Sequence, residues 1–347
     1  MVGGYTHLKH YTENGGILMT KLVSGIRATG ELHIGNYYGA MQGLVDLQKQ
    51  YDSHYFIADL HSLTTHHQPK KMKKNVIRVA REYLAAGLNP KECTFYVQSS
   101  IAEEISELHV YLSMVMPLGD LLRCPTFKEK AKKHPDNVNY GLVGYPVLMA
   151  ADILIHKGEV VPVGEDQLVH LEITRTIVRR FHQLYGDIFP EPKPLMKNAV
   201  RIPSLSGKGK MSKSDAPDTY VSLNDTREMI ERKVKKAYSD PKRLYRNEPG
   251  HPTKEECNVF HLHSFFTNSA LLEEIKEKCL RAEIGCVECK KLLTNSINAI
   301  VEPLNERKKQ ISDDDVIDIL KMGQVKAKQS AQQLISEVRK AMGLQMI

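Results

Sequence analysis

Tryptophan is absent from all 347 residues, but so few are expected that this decides nothing about fold or function. Other absences exclude more. No apolar run approaches the roughly 18 residues that a membrane span requires, and the first residues, MVGGYTHLKHYTENGGIL, lack the charged-then-apolar layout of a secretory leader. A cytoplasmic protein with no membrane partner is expected. Internal repeats and low-complexity tracts are missing, which sets aside solenoids and disordered tails. Neither sign of charge dominates: 48 Lys and Arg face 41 Asp and Glu, a net charge of +7. That assists binding to a polyanion without proving it. The six cysteines argue against a disulfide framework in that compartment.

What is present is ordinary globular material, 41% hydrophobic and 26% charged, in a chain long enough for two cores. Short β-like runs alternate with amphipathic stretches from Lys21 onward. Lys21 to Ile26, His54 to Asp59, Thr94 to Gln98, Val160 to Val163 and a run near Val200 to Ile202 predict parallel strands joined by helices. The fold class expected is α/β, a doubly wound parallel-sheet, Rossmann-type domain over residues 19–217. After about Asp218 the strand signal fades, and residues 218–347 predict helices: Asp225 to Tyr238, Cys257 to Thr267, Ala270 to Lys278, Cys289 to Ile311 and Asp313 to Met342. Residues 1–18 are expected to be a poorly ordered extension ahead of Met19. A Pro/Arg-rich loop, SDPKRLYRNEPGHP, spans 239–252.

Two short motifs carry the chemistry. HIGN, His33 to Asn36, follows the first strand and opens a helix near Gly35, which is the strand-to-helix junction that suits a phosphate. Glycine at 35 permits close approach of a ligand to the backbone. The second, SGKGKMSKSD, gathers Lys208, Lys210 and Lys213 among Ser204, Ser206, Ser212 and Ser214, with Gly207 and Gly209 to let the loop move. Alone, each has an ordinary explanation as a turn or a solvated surface. Together, in this order and with an α/β pattern between them, they indicate a site for a nucleotide polyphosphate.

Four of the six cysteines, Cys257, Cys279, Cys286 and Cys289, lie within one helical stretch at gaps of twenty-one, six and two residues. Four thiolates suit tetrahedral Zn2+ or an iron–sulfur cluster, and spacing by itself makes zinc the safer expectation. Cys93 and Cys124 read as isolated buried thiols.

With SGIRATGELHIGNYYGA, YPVLMAADILIHKGEVVPVGEDQLVHLEITR and GKMSKSD in place, the chain resembles a class I aminoacyl-tRNA synthetase, more narrowly the tryptophanyl-tRNA synthetases, from Met19 onward. The resemblance implies a ligase that activates tryptophan with ATP and Mg2+ and charges tRNA(Trp), acting as a homodimer, with a helical anticodon-binding domain. The tyrosyl enzymes share the fold and both motifs, and a silent nucleic-acid-binding relative is the other alternative. It further implies that His33, Asn36, Lys210 and Lys213 are catalytic. Arg27, Gly35, Gly164, Asp166, Met211, Ser212 and Ser214 join those four in holding ATP. Arg27 stands where many relatives carry an uncharged residue such as Gln, so a cation there favours phosphate or carboxylate. By the same resemblance Asp152 reads the indole N–H, with Met149 and His156 on its helix face. Tyr145 and Gln167 hold the α-amino group, and His61 lines the pocket. Arg123, Lys128 and Lys130 are expected at the dimer contact or the acceptor stem. A subgroup of this family carries a [4Fe–4S] cluster on four cysteines in this region; the first gap here is one residue shorter than in that pattern.

Overall fold

The structure is a computed structural model that describes residues 10–11, 17–28, 30–63, 69–133, 135, 138–196, 200–213 and 215–344. Most of the expected N-terminal extension lies outside them. Its described part is a pair of two-residue antiparallel strands, β1 His10–Tyr11 and β2 Ile17–Leu18.

Five parallel strands form the central sheet: β3 Lys21–Arg27, β4 Asp52–Ala58, β5 Cys93–Val97, β6 Val160–Val163 and β7 Lys193–Met196, in the order β5-β4-β3-β6-β7. The buried run of β4, covered on both faces, is what a parallel interior strand requires. The chain winds outward from β3 through β4 to β5, then restarts on the other side of β3 with β6 and β7. A crevice therefore opens at the carboxyl ends of β3 and β6, where open α/β sheets bind ligands. The strand expected at Val200 to Ile202 does not form. The fifth strand is Lys193–Met196, whose Pro194 pairs with Val161. Proline is tolerated because β7 is an edge, and a proline in a run of only four residues is also why KPLM is not legible as a strand.

Helices clothe the sheet: α1 Ile34–Asn36, continued by a π turn into α2 Gln42–Leu47, then α3 Asp59–Leu63, α4 Pro69–Ala85, α5 Ala102–Val115, α6 Leu118–Arg123, α7 Pro125–Lys133, α8 Tyr140–Leu154 and α9 Leu168–Tyr185. Beyond them come α10 Arg227–Lys235, α11 Asn258–Phe266, α12 Ser269–Leu280, α13 Cys286–Lys309 and α14 Asp313–Ala341. The last of these returns to the sheet. A Cβ on Gly323 would lie 1.8 Å from the Phe95 carbonyl oxygen, so glycine alone lets α14 run against β5. Arg339 clamps it to α5 through a bidentate pair with Glu107, at 2.6 and 2.7 Å. α10 to α13 pack on one another, while α14 covers the β5 edge. No helix among the described residues is long and apolar enough to cross a membrane.

Candidate active site

The HIGN turn is fixed from two directions. Within it, the His33 backbone N–H donates to Asn36 Oδ1 at 2.9 Å. From outside, Ile34 N donates to Val221 O and Leu223 N to Leu32 O, both at 2.9 Å. That second pairing ties the turn to residues just after the lysine loop. The His33 ring folds back over Gly35, where a Cβ would sit 2.8 Å from Cε1 and Nδ1. The immediate reason for glycine at 35 is thus the imidazole beside it.

The lysine loop is a small hairpin. Ser204 N donates to Gly209 O at 3.0 Å and Met211 N to Ile202 O at 2.9 Å, with Gly207 and Gly209 at φ of +76° and +68°. Its base is tied to the helical region by Tyr238 N to Leu205 O, 2.8 Å, and by Asn258 Nδ2 to Ser204 O, 2.9 Å. Met211 is buried as the loop's anchor. From that base Lys213 Nζ reaches to 3.7 Å from the Cβ position of Gly30, in the strand-to-helix turn. His33 feels both lysines: burial first, then Lys213 and Lys210, lower its pKa to about 4. It is a neutral hydrogen-bonding group at physiological pH, beside two cations. Ser214 lies outside the described residues.

The charge of Arg27 acts on two lysines. Arg27 ends β3. Burial, then the charge of Arg27, lowers the pKa of Lys213, with Glu82 opposing. The same two causes bring Lys130 to about 8. Lys130 thus departs from the expectation of a surface contact: its Nζ sits 3.5 Å from the centre of the Tyr145 ring. FKEKAKK reads as a solvated charged face, yet Phe127, Lys130 and Ala131 recur at helical spacing, and Phe127 and Ala131 pack on the core. That periodicity was the available signal.

The far wall is α8, opened by Asn139, whose side chain accepts from Leu142 N at 3.1 Å. Tyr145 donates or accepts at 2.9 Å with His170 Nε2 and at 2.7 Å with Thr126 Oγ1. Burial, then Lys130, lowers the His170 pKa to about 4, so it too is neutral. Asp152 is 1% exposed and bound by His61 Nε2 at 2.8 Å, with Gln98 Nε2 2.8 Å from both carboxylate oxygens. Met149, one turn earlier on α8, packs against Ile153, Val161 and Val163. His156 does not share that face in the end. It lies past the end of α8, with Nε2 on Tyr96 Oη at 2.8 Å, Nδ1 on Ser330 Oγ at 3.3 Å and the ring stacked on His54. The sequence assigns neither Gln98 nor His170 a role: Gln98 ends a predicted strand, and His170 lies inside VPVGEDQLVHLEITR as one more helix residue.

Gly164 leads from β6 into a single turn, Glu165–Gln167, at the crevice. The Gln167 amide donates to Asp166 Oδ2 at 2.7 Å.

Away from the crevice, Cys257, Cys279, Cys286 and Cys289 line one small cavity with Arg243, Phe260 and Ile275. Burial, then the neighbouring thiols, pushes Cys289 up to about 12. Among the described residues no three His, Cys, Asp or Glu are gathered closely enough to hold a single metal ion.

These features coincide with a known family. The family model for class I tRNA synthetases (W and Y) matches residues 19–302. A tryptophan–tRNA ligase of Porphyromonas gingivalis is 40% identical over 94% of this chain and 99% of its own, and one of Synechocystis is 41% identical over 93% and 97%. The crystal structure of the Campylobacter jejuni tryptophanyl-tRNA synthetase, complexed with ADP and tryptophan, superposes with a TM-score of 0.86 at 30% identity, covering 94% of this chain and all of that one. The chain belongs to the tryptophanyl-tRNA synthetases of class I.

Proposed function

We propose that this protein is a tryptophan–tRNA ligase. The carboxylate of tryptophan attacks the α-phosphorus of ATP, pyrophosphate leaves, and the tryptophanyl group passes from AMP to the 3′ end of tRNA(Trp). The observation that carries this reading is Lys213 lying against Gly30 beside a neutral His33, at the crevice between β3 and β6. Arg27 repels both Lys130 and Lys213 there, so a polyanion relieves charge as it binds. Lys210 and Lys213 meet the charge that grows on the departing pyrophosphate. Neutral His33 and Asn36 supply hydrogen bonds without adding charge, and such placement is most of what in-line phosphoryl displacement needs. Gly35, Gly164, Asp166, Met211, Ser212 and Ser214 complete the nucleotide site, and Mg2+ rides on the phosphates with water.

Asp152 is the acceptor for the indole N–H, with Met149 against the ring and His61 and Gln98 holding the carboxylate. A buried acceptor left unpaired by phenylalanine or leucine rejects them. Tyr145 and Gln167 take the α-amino group. ATP–pyrophosphate exchange with each aromatic amino acid tests this: exchange with tryptophan alone supports it, exchange with tyrosine assigns the tyrosyl alternative, and none at all leaves a silent binder.

The protein acts in the cytoplasm as a homodimer. Val110 and Met114 on α5, Leu118 and Leu122 on α6, and Tyr140 are exposed apolar side chains that a second copy would cover. The helical region before α14 serves the anticodon of tRNA(Trp). There the four cysteines hold a [4Fe–4S] cluster, which supplies a cross-link between α11, α12 and α13. The four thiols lining one small cavity are what supports this reading, and tetrahedral Zn2+ on the same four is the alternative. Visible absorption of anaerobically purified protein supports the cluster; a colourless, zinc-loaded preparation overturns it.

A further inference from the structure

Leu244 and Tyr245 are adjacent, 77% and 67% exposed, and belong to no core. The loop that presents them is firmly built. Both of their backbone N–H groups donate to one Glu248 carboxylate oxygen at 3.0 Å, and Glu248 N returns a bond to Tyr245 O at 3.2 Å. Beneath, Arg243 is buried and donates Nη2 to Arg246 O at 2.6 Å and Nη1 to Cys279 Sγ at 3.8 Å. Gly250 N reaches Cys279 O at 3.0 Å, and Asp240 accepts from Lys242 N and His251 N at 2.9 and 2.8 Å. An ordered loop that holds an aromatic and an aliphatic side chain outward has already lost the entropy that binding would otherwise cost.

Of the three cations in KRLYRNE, residues 242–248, Lys242 is paired with Glu256 at 2.7 Å and Arg243 is buried, which leaves the exposed Arg246 as the cation beside the pair. The Glu248 carboxylate is spent on the backbone N–H groups of Leu244 and Tyr245. Arg246 lies along Gly285, its Nε 3.3 Å from that residue's Cβ position. An exposed aromatic face beside a guanidinium is complementary to unpaired RNA, whose bases stack while a phosphate meets the cation. A duplex offers no free base face.

We propose that this loop is a stacking platform for unpaired bases of tRNA(Trp), with Tyr245 as the face, Leu244 at its edge and Arg246 on the adjoining phosphate. It rests on the ligase reading above and assigns the anticodon-loop contact to these residues. The test uses the full-length protein, its Tyr245→Ala, Tyr245→Phe and Arg246→Ala variants, and an anticodon stem-loop RNA carrying 2-aminopurine in the loop. Wild type and Tyr245→Phe should quench the fluorophore, whereas Tyr245→Ala should bind the stem-loop about tenfold more weakly. Arg246→Ala should lower the salt dependence of binding by about one phosphate contact. Pyrophosphate exchange should be unchanged in all three. Equal affinity of Tyr245→Ala and wild type, or equal binding of a fully paired RNA, overturns the platform. Loss of wild-type exchange with tryptophan overturns the ligase reading instead, and the stem-loop titration still decides the platform.

Discussion

His61 Nε2 lies 2.8 Å from Oδ2 of Asp152, whose carboxylate is otherwise enclosed by Gln98 in a site 1% exposed to solvent. An acceptor so held is aimed before its ligand arrives. Replacing Asp152 with Ala should therefore cost the charged hydrogen bond to the indole, about 10- to 100-fold in tryptophan-dependent exchange. Because the chain contains no tryptophan, indole emission comes from the ligand alone, and a fluorescence titration reads its affinity directly. An Asp152→Ala variant that binds tryptophan like wild type would remove the carboxylate from recognition.

Lys130 should make nucleotide binding sensitive to alkali. Its pKa is lowered to about 8, by burial and then by Arg27, so the ligand-free protein loses this cation as pH rises through 8. The KM for ATP in pyrophosphate exchange should climb severalfold between pH 7.5 and 9. Arginine does not deprotonate in this range, so Lys130→Arg should flatten the rise. An unaltered profile in that variant would place the titrating group elsewhere.

Acid should destabilise the fold through its neutral histidines. His33 and His170 are lowered to about 4 and His156 well below its ordinary value, burial being the first cause in each. Unfolded histidine titrates near about 6.5, so below that pH the unfolded chain takes up protons that the folded chain refuses. Stability is full above about 6.5 and is lost as pH falls toward 4. Thermal unfolding should show a lower Tm at pH 5 than at pH 7, and His170→Gln should reduce the difference.

Gly323→Ala should loosen the last helix. The added methyl would overlap the Phe95 carbonyl at 1.8 Å, and neither a strand backbone nor a 29-residue helix yields cheaply. A loss of about 3 kcal/mol or more follows from overpacking at such a contact. Denaturant unfolding measures it, and hydrogen exchange along α14 shows whether the helix lifts from β5.

Lys233 and Asp225 form a buried pair at 2.6 Å, and Asp225 also accepts from Ser222 N at 2.8 Å. Through residues 221–223 that pair supports the HIGN turn. Lys233→Met leaves a buried carboxylate without its partner and should cost about 3–5 kcal/mol, with pyrophosphate exchange slowed by more than the unfolded fraction explains. Exchange that falls only in step with unfolding would limit the pair to stability.

Local pattern was enough for the strands at β3 to β6, for the helices from α10 to α14 within a few residues, and for the two motifs, because strand period, helix period and turn chemistry are written in neighbouring residues. The fold brings the two motifs together, with Lys213 against Gly30 and its charge acting on His33. Local pattern failed at β7, where an edge position excuses a proline, and at Lys130, whose charge hid a helix face turned inward. Gln98 and His170 matter through what the fold sets beside them, Asp152 and Tyr145, across 54 and 25 residues of chain. The chemistry of the site was a property of residue types at short spacing; its electrostatics arose from burial and from charges brought together by tertiary packing, and no linear pattern records those distances.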